Sequence, residues 1–310
     1  MEDGSAEGPQ GTVQLSEILA VGMGLSAQAA GVIKEVKRLH LENMHVKGHT
    51  AEGVAEPVTD ADQRSNAIFV NGYRNHFPGI VMLSEEKQPA ENATVFSSST
   101  TLATPLPAAA DLTLDLKDLI MIVDPLDATK EFTENLLEYV TTMVCVVYQG
   151  RPIAGIINQV FEESPMVMGV IGNGPSGAGG ILRGRPSRHQ AEGEAAETVA
   201  ISRSHTGAGE DVVTKYLPGH KSLQAGGAGF KALLVVDGVA NAYVHVTKIK
   251  SWDVCAADAV LHAIGGGFTD ADGQHLKYNT EDTVFTHGIV ATQSAESQAW
   301  YLEHLGGNLE

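Results

Sequence analysis

At 310 residues the chain is long enough to bury one large core or two closely packed halves. Its 20 Lys and Arg face 38 Asp and Glu, a formal net charge of -18, which argues against nonspecific binding to DNA, RNA or anionic membranes. A small phosphorylated substrate is still compatible with that charge, because a bound divalent cation inverts the potential of an acidic pocket.

Residues 1–12 are small, acidic and glycine-containing, and read as a disordered lead-in. Leu15, Ile18, Leu19, Leu25, Val32, Ile33, Val36 and Leu39 recur at helical spacing. They predict a long amphipathic helix over 15–41, capped by Ser16 or a neighbour and interrupted near Gly22 and Gly24. Polar residues 44–57 follow as a flexible stretch. Thr59 then caps a second helix that carries Asp60 and Asp62 and runs to about Phe77. The apolar residues 80–83 lead to Ser84-Glu85-Glu86. Between 86 and 116 the chain is rich in Ser, Thr, Ala and Pro, a composition that cannot support a core and predicts a mobile surface loop. Asn92-Ala93-Thr94 fits the N-glycosylation pattern there, a faint pointer to a secretory lumen.

The most informative segment is Asp124-Pro125-Leu126-Asp127-Ala128-Thr129, at the exit of the apolar run 119–123. A buried strand delivers Asp124 to a sheet edge, Pro125 removes a ladder N–H, and the turn aims both carboxylates at one point. Two carboxylates that close repel unless a cation sits between them. All-oxygen ligands suit a hard ion such as Mg²⁺, which keeps several waters and meets substrate phosphates. Glu85 after its own apolar run, and Asp253 at the start of a helical pattern, extend the group to four carboxylates. Taken singly, each is as readily a solvated or capping residue as a ligand.

Farther along, 140–148 and 152–160 are β-rich runs joined by Gln149-Gly150-Arg151, a hairpin signal, and 166–171 is a third strand. Glycine-rich 172–188 marks a seam between an α+β part over 13–185 and an α/β part over 186–310. The latter alternates strand 198–202, helix 208–216, a short strand near Leu223, helix 230–236, strand 242–246 and helix 253–264, favouring helices layered on a sheet. Cys145 and Cys255 lie in apolar runs and read as two buried free thiols. No segment approaches the roughly 18–20 uninterrupted apolar residues of a membrane span.

Thr129 follows the acidic turn, where its hydroxyl either caps a short helix or polarises a water, and the N–H groups of Ala128 and Thr129 are available to phosphate. Spacing alone does not separate Asp62 from Asp60. Ser202-Arg203-Ser204-His205 and Ala225-Gly226-Gly227-Ala228-Gly229 each stand between a strand and a helix, where hydroxyls, an imidazole and close backbone approach serve a phosphate or a base. Lys231, Lys248 and Lys250 supply cations in an acidic chain.

Thr59-x-x-Asp62, Ser84-Glu85-Glu86, the 124–129 turn and Trp252-Asp253 together resemble the metal-binding signatures of the inositol monophosphatase superfamily, from about Leu15 to the end of the chain. Residues 139–145, 202–205, 225–231 and 243–247 are similar to its branch of Golgi phosphatases acting on adenosine 3',5'-bisphosphate. The resemblance implies an α/β fold, a five-layer α-β-α-β-α sandwich, and removal of the 3'-phosphate to give AMP. It implies two or three Mg²⁺ ions, held by Glu85, Asp124, the Leu126 carbonyl, Asp127 and Asp253. Asp62 and Thr129, helped by Glu85, would deprotonate the attacking water; Ser202, His205, Gly227 and Lys231 would hold the nucleotide, beside Ala128 and Thr129. The implied partner is a small phosphorylated nucleotide, not a nucleic acid polymer, with no membrane contact by the chain as it stands and pairing as a homodimer. It further implies lithium sensitivity, and a Golgi lumen where an N-terminal anchor precedes the chain or the cytoplasm where none does.

Overall fold

The computed structural model describes residues 11–40, 43–49, 55–87, 106, 108–163, 166–172, 180–183, 197–204, 206–306 and 309. Strand β1 (Thr12–Gln14) leads straight into helix α1 (Leu15–Arg38). A hairpin of β2 (His45–His49) and β3 (Ala55–Val58) precedes α2 (Asp60–His76), β4 (Val81–Ser84), β5 (Thr113–Asp115), β6 (Leu119–Asp127) and the short α3 (Thr129–Thr133). Then come β7 (Thr141–Tyr148), β8 (Arg151–Gln159), β9 (Met166–Val170) and β10 (Gly180–Arg183). The remainder is β11 (Thr198–Ser202), α4 (Thr206–Tyr216), β12 (Lys221–Ala225), α5 (Ala228–Val236), β13 (Ala242–His245), β14 (Ile249–Lys250), α6 (Ser251–Ala263), β15 (Gly267–Thr269), β16 (Val284–Phe285), β17 (Ile289–Thr292) and α7 (Ala295–Leu305).

Two sheets organise these elements. One has six strands in the order β10-β9-β8-β7-β6-β4, antiparallel except that β4 lies parallel to β6. The other has five, β12-β11-β13-β17-β15, with β11 parallel to both neighbours. Alternation along each strand buries both faces. Met121, Val123, Val144 and Ile156 meet α1 and α2, while Ile122, Met143, Cys145 and Ile157 meet α5, α6 and the second sheet. On the far side, Val199, Ile201, Val244 and Val290 pack with Val213 of α4 and Tyr301 of α7. The result is the expected five layers: α1/α2, six-stranded sheet, α5/α6, five-stranded sheet, α4/α7.

Several local expectations change. Helix α1 runs unbroken through Gly22 and Gly24 because tertiary packing uses small residues there: a side chain on Gly22 would strike the Tyr73 hydroxyl, and one on Gly72 would strike Leu25. Its N-cap is Gln14, not Ser16, and the free N–H of Leu15 donates to the Leu112 carbonyl at 2.8 Å. By length and composition α1 is apolar enough to cross a membrane, contrary to the sequence reading, yet its apolar face is core, packed on α2 and the sheet. Within the expected flexible stretch 44–57, His45–His49 pairs antiparallel with Ala55–Val58, and β10 lies inside the expected glycine-rich seam. Most of the expected 86–116 loop, with Asn92, and the 185/186 boundary lie outside the described residues.

The cysteines differ most. Cys145 and Cys255 are not free thiols but form a disulfide, with Cα atoms 5.7 Å apart and 110 residues between them in sequence. Neither local pattern carries that information, since the two residues meet only when α6 packs across β7. Closing so long a loop restricts the unfolded chain, so the reduced protein is expected to lose about 3–5 kcal/mol of stability, read as a fall in melting temperature with reductant.

Candidate active site

Because β4 and β6 are parallel, their carboxyl ends reach the same edge, and the Glu85 N–H donates to the Val123 carbonyl at 3.2 Å. The β6–β7 register shifts between Asp124 and Asp127, so the strand bulges at Pro125 and presents both acids to one side. Ala128 ends the turn in left-handed backbone at φ 70°, a conformation a non-glycine residue holds only when its surroundings enforce it.

Asp124 is 1 % exposed, and one of its oxygens accepts the Leu126 N–H at 3.1 Å. Burial, then the charges of Glu85, Asp127 and Asp253, hold the Asp124 carboxyl well above the usual carboxylate range. Asp253, in the first turn of α6, accepts the Lys250 N–H at 2.9 Å and is pushed up to about 7 by burial and then by Glu85. Acids that raise one another in this way fit a hard divalent cation, which would let all of them ionise. Among the described residues, no three acidic, histidine or cysteine side chains already enclose a common point as a finished metal cage. Protein donors explain this, since they turn Glu85 and Asp127 toward themselves.

Asp62 lies in the first turn of α2, fixed by a capping box: Thr59 N–H and hydroxyl donate to one oxygen at 2.8 and 2.5 Å. Its other oxygen accepts the Thr129 hydroxyl at 2.8 Å, and the same hydroxyl lies 3.2 Å from the Leu126 carbonyl. The structure thus separates Asp62 from Asp60, whose side chain instead meets Asn43 and Arg64. Burial lifts Asp62 to about 6 against the opposing bonds from Thr59 and Thr129, leaving a carboxylate that takes up a proton just below neutrality.

Asp127 is committed to the start of α5, accepting the Ala228 and Gly229 N–H groups at 3.1 and 2.8 Å and the Thr141 hydroxyl at 3.1 Å. Gly227, at φ 63°, makes this approach feasible; a Cβ there would come within 2.8 Å of the Asp127 carboxylate. The expected phosphate cradle is therefore, first of all, the seam where α5 meets the acidic turn. Lys231 is 4 % exposed, its ammonium donating to the Gly227 carbonyl at 2.5 Å and lying 5.2 Å from the centre of the Tyr243 ring. Burial lowers its pKa against the attraction of Asp127 and Glu131.

Ser202 stands at the end of β11, its hydroxyl accepting the Ser204 N–H at 3.3 Å, with no hydrogen bond to the acidic group among the described residues. His205 lies outside the described residues. The Arg203 guanidinium faces Glu131 at 3.0 Å and Glu134 at 2.7 Å, tying the β11–α4 loop to α3.

Lys47, which the sequence did not single out, reaches from the β2–β3 hairpin to Glu85 at 2.7 Å and Glu86 at 2.5 Å. Burial opposes its charge, but the two carboxylates win and hold it above its ordinary value. No periodicity marks this residue, because the hairpin folds back over the acidic edge only in three dimensions. A cation held by Glu85 would have to displace this ammonium, so, if Glu85 is a ligand, Lys47→Gln is expected to tighten Mg²⁺ binding about 2- to 10-fold by calorimetry, the scale of partly exposed ion pairs.

The family model described as the inositol monophosphatase family matches residues 14–309. A Drosophila melanogaster "Putative inositol monophosphatase 3" is 38 % identical over 283 residues, 90 % of this chain and 78 % of that protein. The mouse "Golgi-resident adenosine 3',5'-bisphosphate 3'-phosphatase" is 32 % identical over 298 residues, 93 % of this chain and 81 % of that protein. A solved IMPase/NADP phosphatase, described as complexed with Mg²⁺ and phosphate, shares the fold at a TM-score of 0.65 and 16 % identity, covering 94 % of this chain and 96 % of its own. With the five layers and a family match over nearly the whole length, this chain belongs to the inositol monophosphatase family of phosphatases.

Proposed function

We propose that the chain is a Mg²⁺-dependent phosphomonoesterase that hydrolyses the 3'-phosphate of adenosine 3',5'-bisphosphate to AMP and phosphate. The observation that carries the hydrolytic reading is the Thr129 hydroxyl, 2.8 Å from Asp62 at the lip of the acidic group. Glu85, Asp124, the Leu126 carbonyl, Asp127 and Asp253 would hold two or three Mg²⁺, which would supply charge neutralisation of the phosphoryl group and a more acidic water there. Thr129 accepts a proton from the attacking water as it donates its own to Asp62. The water oxygen bonds to phosphorus, the bond from phosphorus to the 3'-oxygen breaks, and that oxygen takes up a proton from a solvent water to leave as the 3'-hydroxyl of AMP, the hydroxide so formed being neutralised by the proton that Asp62 gives back. No Ser or Cys nucleophile is required, since phosphoryl transfer rests on positioning and charge.

Support for a nucleotide comes from the similarity to the mouse enzyme and from Ser202, His205 and Gly227 in the segments that resemble its branch. The burial of Lys231 favours a second reading: its ammonium is turned inward to Gly227, so an open-site cation for a nucleotide 5'-phosphate has to come from elsewhere, and an inositol phosphate needs none. The Golgi lumen suits the first reading, where a Cys145–Cys255 disulfide persists. Parallel turnover of adenosine 3',5'-bisphosphate and inositol 1-phosphate tests the choice. AMP formation at far higher kcat/KM supports the nucleotide, and preference for the inositol ester overturns it.

A further inference from the structure

We propose that the Cys145–Cys255 disulfide is a positioning element of the metal site, fixing where α6 sits along its axis and so where Asp253 stands relative to Asp124 and Asp127. This rests on the metal reading given above. In the sheet register Cys145 pairs with Ile122, two residues before Asp124, and Cys255 follows Asp253 by two residues on α6. The bond therefore lies directly beneath the acidic edge and joins the element that carries Asp253 to the neighbour of the strand that carries the other two acids.

What makes a covalent tie informative here is the surface under α6. Cys145 pairs with Gly155, and Gly155 with Gly169, so one row across β7, β8 and β9 forms a shallow track. A Cβ on Gly155 would strike the Ala256 backbone, and one on Gly169 would lie 2.7 Å from the Val260 Cα. Along this row the helix backbone rests on glycines, so these contacts offer no side chain for the helix to lock against, and the buried Val254, Val260 and Leu261 hold it through apolar packing alone. A slip of one residue moves Asp253 about 1.5 Å, whereas Mg²⁺ demands near-octahedral oxygens at about 2.0–2.1 Å. Packing brings α6 close; the disulfide sets its register. Cys145 is 1 % and Cys255 0 % exposed, which makes the tie permanent in the folded protein and not a switch.

The test compares the full chain with its Cys145→Ala/Cys255→Ala form, titrating Mg²⁺ by calorimetry without substrate, with thiols counted by mass spectrometry and folding checked by circular dichroism. The expected result is a folded variant whose weakest Mg²⁺ site loses about 10- to 100-fold in affinity, the range for groups that orient ligands without touching the metal, and whose turnover recovers at high Mg²⁺. An unchanged Mg²⁺ isotherm with only a lower melting temperature would overturn the proposal and leave the bond a plain stabiliser. If the alanine pair does not fold, the Cys145→Val/Cys255→Ala form, which refills part of the lost volume, takes its place, and unfolding of that form too would count against the proposal. Wild-type protein that binds no Mg²⁺ would refute the metal reading itself, an outcome distinct from a variant that binds as wild type does.

Discussion

Asp124→Asn is expected to lower turnover by about 1,000-fold or more while the folded protein melts no lower than wild type in the absence of Mg²⁺. The two halves of that expectation come from one cause. Asp124 is buried among Glu85, Asp127 and Asp253, which together hold its carboxyl well above the ordinary range. Removing its charge relieves the apo protein, and the amide keeps the shape and can still meet the Leu126 N–H region through its oxygen. With Mg²⁺ held as proposed, the variant would lose an anionic oxygen from a site whose cation would supply several kcal/mol of transition-state charge stabilisation, and each 1.36 kcal/mol is about tenfold in rate. Phosphate release and thermal melts with and without Mg²⁺ check both. A large fall in melting temperature without Mg²⁺ would show that Asp124 serves the fold.

The second large effect concerns proton transfer. Asp62→Asn is expected to reduce kcat by about 100- to 10,000-fold, the span of general acid–base catalysis, with Mg²⁺ affinity little changed. Asp62 holds the Thr129 hydroxyl at 2.8 Å and carries no assigned metal contact. Its pKa, lifted to about 6 mainly by burial, also sets a pH dependence. The carboxylate form accepts the proton, so wild-type kcat should climb as pH rises through about 6 and level off above it, and Asp62→Asn should lose that limb along with the rate. The same shift opposes folding: a carboxyl whose folded pKa exceeds its unfolded value destabilises the native state once the unfolded chain ionises, between about 4 and 6 and above. Asp62→Asn should therefore match or exceed wild-type stability at neutral pH while being nearly inactive, the separation expected of a group kept for chemistry.

Local chemistry wrote much of this site into the sequence. Thr59 and Asp62 form the capping box their spacing suggests, and the acidic turn after 119–123 emerges at a sheet edge because a buried strand followed by Asp-Pro has little else to do. The five-layer fold followed from family signatures, and the strand alternation agrees with it. What the sequence hid are contacts made between distant segments. Lys47 meets Glu85 across 38 positions, Arg203 meets Glu131 across 72, and Cys145 meets Cys255 across 110. None changes local periodicity, and no propensity encodes it. Gly22 shows the same limit in reverse, since read alone it breaks a helix, and against Tyr73 it is what lets two helices touch. The sequence likewise leaves β15, β17 and α7 unmarked, because short strands that owe their place to pairing with β13 carry little pattern of their own.

The most direct test of the metal-dependent site is to follow phosphate release from adenosine 3',5'-bisphosphate while Mg²⁺ is stripped by a chelator and then restored to the same sample. Release that stops at background with chelator, returns with Mg²⁺, and does neither in Asp124→Asn is the predicted result. Turnover that continues unchanged in chelator would contradict it, and would leave the acidic edge as a feature of the fold.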